Sequence, residues 1–246
     1  LAAHYRQEFG FSTDCQENQL KTPYDVFTFL RTTLEKRNIL VFQMPMRLED
    51  ARGFALVNEV PQVIVVNSGD TIEPRIFTLM HEFGHVLKHE SGVSMPERTL
   101  FETKAGPVER WCNDFAAEFL FPRSLAEQEF TKYKGSLTDL KILGSLSRHN
   151  KVSKGMLLYN MYKFNFISQN DYRQFAHKYH LDTTKEPPAG FRGESAEKRC
   201  LREKGHKFVS LVATNYEQGL ITRSDALDFL SIKSPSFEKV LRKVKE

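Results

Sequence analysis

His81-Glu82-Phe83-Gly84-His85 is the segment of this chain whose residue types and spacing best suit chemistry. On an α-helix, residues four apart share a face about one turn above each other, so His81 and His85 can aim two imidazoles at one point. A zinc ion held by three protein groups keeps a fourth position open and lowers the pKa of water there to around 7. Glu82 flanks the same point and is the candidate general base, able to accept that proton and pass it to a leaving amine. Together these roles describe hydrolysis of a peptide bond. Among 8 histidines in 246 residues, the pattern arises by chance in on the order of one or two chains per hundred. Its setting argues against chance, because two imidazoles and a carboxylate are costly in an apolar helix unless something binds them.

A catalytic zinc needs a third protein ligand. His89 continues the spacing of His81 and His85 but lies two turns from His81, too far along the axis to share a tetrahedral ion with both. Glu109 is the better candidate. It opens the next expected helix, and Asn113, four residues on, would present an amide to the same place and hydrogen-bond the outer nitrogen of a zinc histidine. Glu102 and Glu118 are rivals to Glu109. Cys112 reads as a small, half-buried helix residue rather than as a softer ligand. Arg75 and Thr78, just ahead of the motif, carry no assigned role.

Elements must position these groups. Thr22-Pro23 with Asp25 marks a helix start, and Phe27, Leu30 and Leu34 give it one apolar face to about Asn38. Ile39–Phe42, Gly53–Val57 and Val63–Val66 are short apolar runs that suggest a small sheet. The motif helix is expected from near Glu73-Pro74 through His89, stopping at Ser91-Gly92, and is apolar nearly all round, so it should be buried. A second helix spans roughly Val108 to Phe121, ended by Pro122. Leu137 to Ile167 holds two helical stretches broken at Asn150 to Val152, with Ser153 as cap. Leu181 to Ser195 has linker composition, and the tail is helical with a break at Gly219 and a new start at Thr222 to Asp225. The fold class expected is α+β, mainly α: a small sheet packed on the motif helix within residues 1–130, a helix-turn-helix-like region over 131–185, and a linker with a helical subdomain over 186–246.

The totals limit the function classes. The chain is 40% hydrophobic and 12% aromatic, enough for a real core, and its net charge of +4 is too mild to announce a nucleic-acid binder. Lys151, Lys154, Lys163, Arg173 and Lys178 lend the middle a basic cast that reads as a solvated face. Cys15, Cys112 and Cys200 are odd in number and widely spaced, against a disulfide framework and in favour of a reducing cytoplasm. No apolar run approaches the roughly 20 residues of a membrane span. The chain opens at Leu1 and not at a methionine, so upstream residues are expected.

The run from Gly53-Phe54 through Pro61–Asn67 and Arg75–His85, followed by Val108-Glu109-Arg-Trp-Cys-Asn113-Asp-Phe-Ala-Ala-Glu-Phe-Leu-Phe-Pro122, resembles the ImmA/IrrE metallopeptidases, whose ligand arrangement is gluzincin-like. The second block is the more specific signal. The resemblance is strong over Asp25 to Pro122 and weaker through Leu137–Ile167 and Gly219–Leu230. It implies a zincin-like catalytic domain with His81, His85 and Glu109 as ligands and Glu82 as catalytic base. The metal would be zinc, with manganese as the alternative. Departures are Cys112 in place of alanine, a bulky Trp111, and Phe121; none removes a group the chemistry needs. The resemblance also implies a substrate: a helix-turn-helix transcriptional repressor whose cleavage relieves repression of stress-response or mobile-element genes, some relatives acting in toxin–antitoxin pairs.

Two readings follow. In the first, the chain is a site-specific metallopeptidase acting on that repressor. In the second, it is a DNA- or partner-binding regulator or antitoxin component with a structural metal, its DNA contact supplied by Leu137 to Ile167; DNA binding by this fragment is the weaker expectation. Spacing does not rank His149, Tyr159, Tyr162 and Tyr216 as stabilisers of the oxyanion, and oligomeric state is not legible.

Overall fold

The computed structural model describes residues 1–94, 106–182 and 193–245. Two elements at the start were not anticipated: helix α1 (Ala2–Phe9) and a single π-helical turn over Cys15–Gln19. Helix α2 (Pro23–Lys36) begins as its sequence requires. Thr22 Oγ1 accepts from the Asp25 N–H while the Asp25 carboxylate accepts from the Thr22 N–H, and Pro23 occupies the first helical position.

The three apolar runs become β1 (Ile39–Met44), β2 (Gly53–Leu56) and β3 (Gln62–Asn67). A fourth strand, β4 (Gly92–Ser94), completes a mixed sheet of order β1-β3-β2-β4, with β1 and β3 parallel and the other pairs antiparallel. Strand β4 corrects the reading of Ser91-Gly92 as a helix stop. The motif helix, α3 (Ile72–Lys88), ends earlier, with His89 as the left-handed cap at φ 53°, and Gly92 already pairs with Ala55. Three residues are too few for a periodic signal; pairing with β2 is what makes them a strand.

Side chains alternate across the sheet. Ile39, Val41, Ala55, Ile64 and Val66 are buried on the face toward α2 and α3. α3 is buried along almost its whole length, as its all-round apolar character demands. Beyond it come α4 (Pro107–Leu120), α5 (Arg123–Lys132), α6 (Leu140–Asn150), α7 (Lys154–Lys163) and α8 (Gln169–Asp182). The break between α6 and α7 falls where expected, with Ser153 Oγ accepting from the Met156 N–H. α1 lies across α3 and α4 through an aromatic cluster, with Phe9 5.5 Å from Phe83 and 5.6 Å from Phe119. The amino-terminal segment also satisfies orphan carbonyls at two helix ends: Arg6 donates to Phe119 O, and Gln16 Nε2 donates to Leu120 O and Asn150 O, both at 2.9 Å.

One hydrophobic core draws on residues from Ala2 to Tyr172. A second draws on Cys200 to Leu241, in α9 (Ala196–Lys204), α10 (His206–Glu217), α11 (Arg223–Leu230) and α12 (Ser234–Lys245). The smaller core docks on the far face of the sheet, where Phe208 meets Phe42 edge to face at 5.1 Å. A buried ion pair, Arg31–Glu35 on α2, seats the α9–α10 junction. Arg31 donates to Arg202 O at 2.6 Å near the end of α9, and Glu35 accepts from the Lys207 N–H at 3.2 Å at the start of α10. Each charge thus meets the helix end of opposite polarity. Gln43 links this joint to α3, donating to Arg202 O at 2.8 Å and accepting from Arg75 at 2.9 Å.

Candidate metal centre

The 3.6-residue period of α3 brings His81 and His85 to one side of the helix, where their Nε2 atoms stand 3.2 Å apart. α4 crosses this face and places Glu109, in its first turn, against both: Oε2 is 3.2 Å from His81 Nε2 and Oε1 is 3.2 Å from His85 Nε2. Among the described residues, these three form the one His/Cys/Asp/Glu group with metal-holding geometry. The helices approach this closely because the motif contains Gly84; a Cβ there would lie 3.1 Å from Cys112 Sγ and 3.2 Å from Cys112 Cα. Cys112 is fully buried at this crossing, not half-buried as expected.

The outer ring nitrogens set the electrostatics. His81 Nδ1 is 2.7 Å from Asn113 Oδ1, and His85 Nδ1 is 3.1 Å from the backbone carbonyl of Glu90. With an oxygen acceptor on each, the Nδ1 atoms carry the hydrogens and the Nε2 lone pairs face the shared point. Two lone pairs and a carboxylate converge there, so the point calls for positive charge. Protonation behaviour agrees. Burial works against a charged His85, but contacts with Cys112 and Glu109 outweigh it and raise its pKa to about 10. Burial likewise opposes an ionised Glu109, yet hydrogen bonds from His81 and His85 hold it down at about 2.

The donor set fits a tetrahedral divalent ion. Metal–ligand bonds of about 2.0–2.1 Å imply ligand atoms roughly 3.3 Å apart, and the three separations here are 3.2 Å. His81, His85 and Glu109 are therefore a candidate metal-binding triad. The histidine side chains are 5% and 2% exposed and that of Glu109 is 36% exposed, so the site opens to solvent on the Glu109 side.

Glu82 is fully buried beside the triad. Its Cγ would lie 3.5 Å from a Cβ at Gly53, which places it between α3 and β2, and its carboxylate is close enough to influence both His85 and Cys112. Two contributors were missed in the sequence. The Glu90 carbonyl orients His85, and Gly92 lies flat against its ring: a Cβ at Gly92 would sit 2.3 Å from His85 Cε1. The only signal was a glycine soon after the motif, and it reads equally well as a helix terminator.

The other candidates lie elsewhere. His89 is exposed at the end of α3, outside the triad. Glu118 caps toward the Arg123 N–H at 3.2 Å, and Glu102 falls outside the described residues. Arg75 supports Gln43, and Thr78 packs against the β2 backbone at Gly53. The Tyr159 hydroxyl donates to Asp114 at 2.5 Å, Tyr162 stacks on Tyr172, Tyr216 packs on Phe237 in the smaller core, and His149 is exposed at the end of α6.

No helix among the described residues is long and apolar enough to cross a membrane. Comparison with curated proteins yields no match. The sequence model of the M78 peptidases, described as the IrrE N-terminal-like domain, matches residues 34–162, more than half of the chain and all of the triad. The chain therefore belongs to the IrrE N-terminal-like peptidase family, which supports a metallopeptidase type of function.

Proposed function

We propose that the chain is a zinc-dependent, site-specific endopeptidase that cuts a helix-turn-helix transcriptional repressor in the cytoplasm, relieving repression of stress-response or mobile-element genes. The observation that carries this reading is the convergence of His81, His85 and Glu109 at tetrahedral spacing beside the buried carboxylate of Glu82. His81, His85 and Glu109 would hold the ion, which when bound supplies Lewis-acid polarisation of the scissile carbonyl. Asn113 and the Glu90 carbonyl keep both Nε2 atoms turned toward it. Glu82 accepts the proton of the attacking water and delivers it to the leaving nitrogen. Among the described residues the ion would meet three protein ligands, and Glu109 is partly exposed, a set that favours a catalytic over a structural metal, since structural sites close with a fourth protein ligand. Among the described residues β4 forms the margin of the sheet beside His85, so an extended peptide can lie along it and run past the triad.

The test combines elemental analysis with cleavage of a candidate repressor, read by intact mass. The parent protein is expected to carry about one zinc or manganese per chain, to cut the repressor at one bond and to ignore casein. Glu82→Gln should keep the metal and lose at least about 100-fold in rate, whereas Glu109→Ala should lose the metal itself. A Glu82→Gln variant that cuts at the parental rate ends the general-base assignment.

A further inference from the structure

The smaller core is a helical unit set apart from the metal centre. α10 packs against both α11 and α12, and Val209, Val212, Ala226, Leu230, Phe237 and Val240 form its interior. α11 and α12 are joined by three residues, Ser231, Ile232 and Lys233. Ser231 is left-handed at φ 53°, and the Ile232 N–H returns to Leu227 O at 3.1 Å, turning its partly buried side chain toward the core. Arg223, at the start of α11, donates to Ser234 Oγ at 3.2 Å and lies over the Phe237 ring at 5.2 Å, which fixes how the two helices cross. This is the framework of a helix-turn-helix unit: three helices, a short turn with one left-handed residue, and a second helix that packs on α9 and α10 and leaves its opposite face exposed.

What α12 presents outward decides the ligand. Counting from Ser231, positions +2, +3, +4, +7, +8 and +11 are the ones that face away from the core, and they are Lys233, Ser234, Pro235, Glu238, Lys239 and Arg242. All six are exposed. Three are cations, and the single anion, Glu238, has Arg223 at 3.8 Å. The positive end of the α12 dipole lies under Lys233 and Ser234. Residues 193–245 carry eleven Lys and Arg against seven Asp and Glu. The face lacks the large apolar anchor that the centre of a protein interface needs, while a row of cations on a rigid helix suits phosphates.

We infer that α11 and α12 form a DNA-binding helix-turn-helix, with α12 lying in the major groove of duplex DNA and Lys233, Lys239 and Arg242 contacting its phosphates and base edges. The A-form major groove is too narrow to admit the helix, so duplex RNA is the weaker ligand.

The full chain in chelator, so that no metal-dependent activity contributes, is titrated against a fluorescein-labelled DNA duplex of about 24 base pairs between roughly 50 and 200 mM KCl, with anisotropy as readout. Affinity should fall with salt at a log–log slope near −3 for about three phosphate contacts. Lys239→Glu combined with Arg242→Glu should weaken binding at least about tenfold and flatten the slope by about 2, and Lys141→Glu on α6 should change nothing. If the double variant fails to fold by circular dichroism, Lys239→Gln and Arg242→Gln taken singly should each flatten the slope by about 1. The inference is overturned by absence of salt-sensitive duplex binding, by variants that bind like the parent, by equal or tighter binding of duplex RNA, or by variants that lose binding to a repressor protein while keeping the duplex. Loss of repressor cutting in the metal-loaded protein would leave this result standing, so the two readings fail separately.

Discussion

The chain contains two helix pairs with the same local turn and opposite uses. α6 and α7 are joined by Lys151-Val152-Ser153, and α11 and α12 by Ser231-Ile232-Lys233; in each, the first residue is left-handed and the second is an aliphatic turned inward. Beyond the turn the pairs diverge. The six outward positions of α12 are all exposed, whereas the equivalent positions after Lys151 are Ser153, Lys154, Gly155, Leu158, Tyr159 and Tyr162, of which three are buried and three half-buried. Lys151 differs from Ser231 as well: its Nζ donates to Gln16 O at 2.8 Å and Glu17 O at 3.1 Å, tying the turn to the π-helical segment. α7 is a core helix and cannot enter a groove without leaving the fold. A turn geometry is local and recurs freely; what it does depends on which face of the following helix the rest of the chain has covered.

Exchange of equivalent residues is the strongest challenge to this contrast. Leu158→Glu places a charge in the larger core and should cost about 4 kcal/mol or more, while the reciprocal Glu238→Leu on α12 should stay within about 0.5 kcal/mol. Thermal and denaturant unfolding measure both, and comparable losses at the two sites would erase the distinction. Metal removal comes next. If the ion is bound only by the folded larger core, saturating zinc at 100 to 1,000 times its Kd should stabilise the chain by about 2.7–4.1 kcal/mol, with duplex affinity the same in zinc and in chelator. A shift in DNA affinity on stripping the metal would show that the two cores are coupled.

A smaller effect is expected at Gly92, where an added methyl meets the His85 ring. Gly92→Ala should lower metal affinity about 10–100-fold, as loss of a supporting contact does elsewhere, and leave α12 unaffected; isothermal titration with zinc reads this directly. The smallest concerns the turns themselves. Ser231→Gly relieves a left-handed side chain and should stabilise by about 0.5–1 kcal/mol. Lys151→Gly gains the same relief but loses the three hydrogen bonds of the ammonium group, so a net loss of about 1 kcal/mol is expected. Equal signs at the two turns would mean that Lys151 is not the tie its geometry indicates.

Much of the centre was legible because its signals are local. His81 and His85 converge through the period of one helix, and Glu109 and Asn113 share a face of the next, four residues apart. Thr22, Ser153 and Thr222 mark helix starts through hydrogen bonds to residues three positions away. The β4 strand was not legible, because three residues acquire strand geometry only by pairing with β2. The contributions of Glu90 and Gly92 were hidden for a related reason: a backbone carbonyl and a missing Cβ have no side-chain signature. The helix-turn-helix-like character seen in Leu137–Ile167 is present as local geometry, but its turn is matched at Ser231, where charge and exposure differ.

By itself, then, the sequence determined the candidate ligand pair, the candidate base, the capped helix starts and the three longer strands, because each depends on groups within a turn of helix or along one strand. Tertiary structure alone decided that Glu109 reaches both Nε2 atoms, that Gly84 and Gly92 let α4 and β4 close on the site, and that the outward positions of α7 are covered while those of α12 are exposed. The physical reason is range: helical periodicity and capping act over three or four residues, whereas convergence and burial depend on which distant surfaces the chain brings into contact.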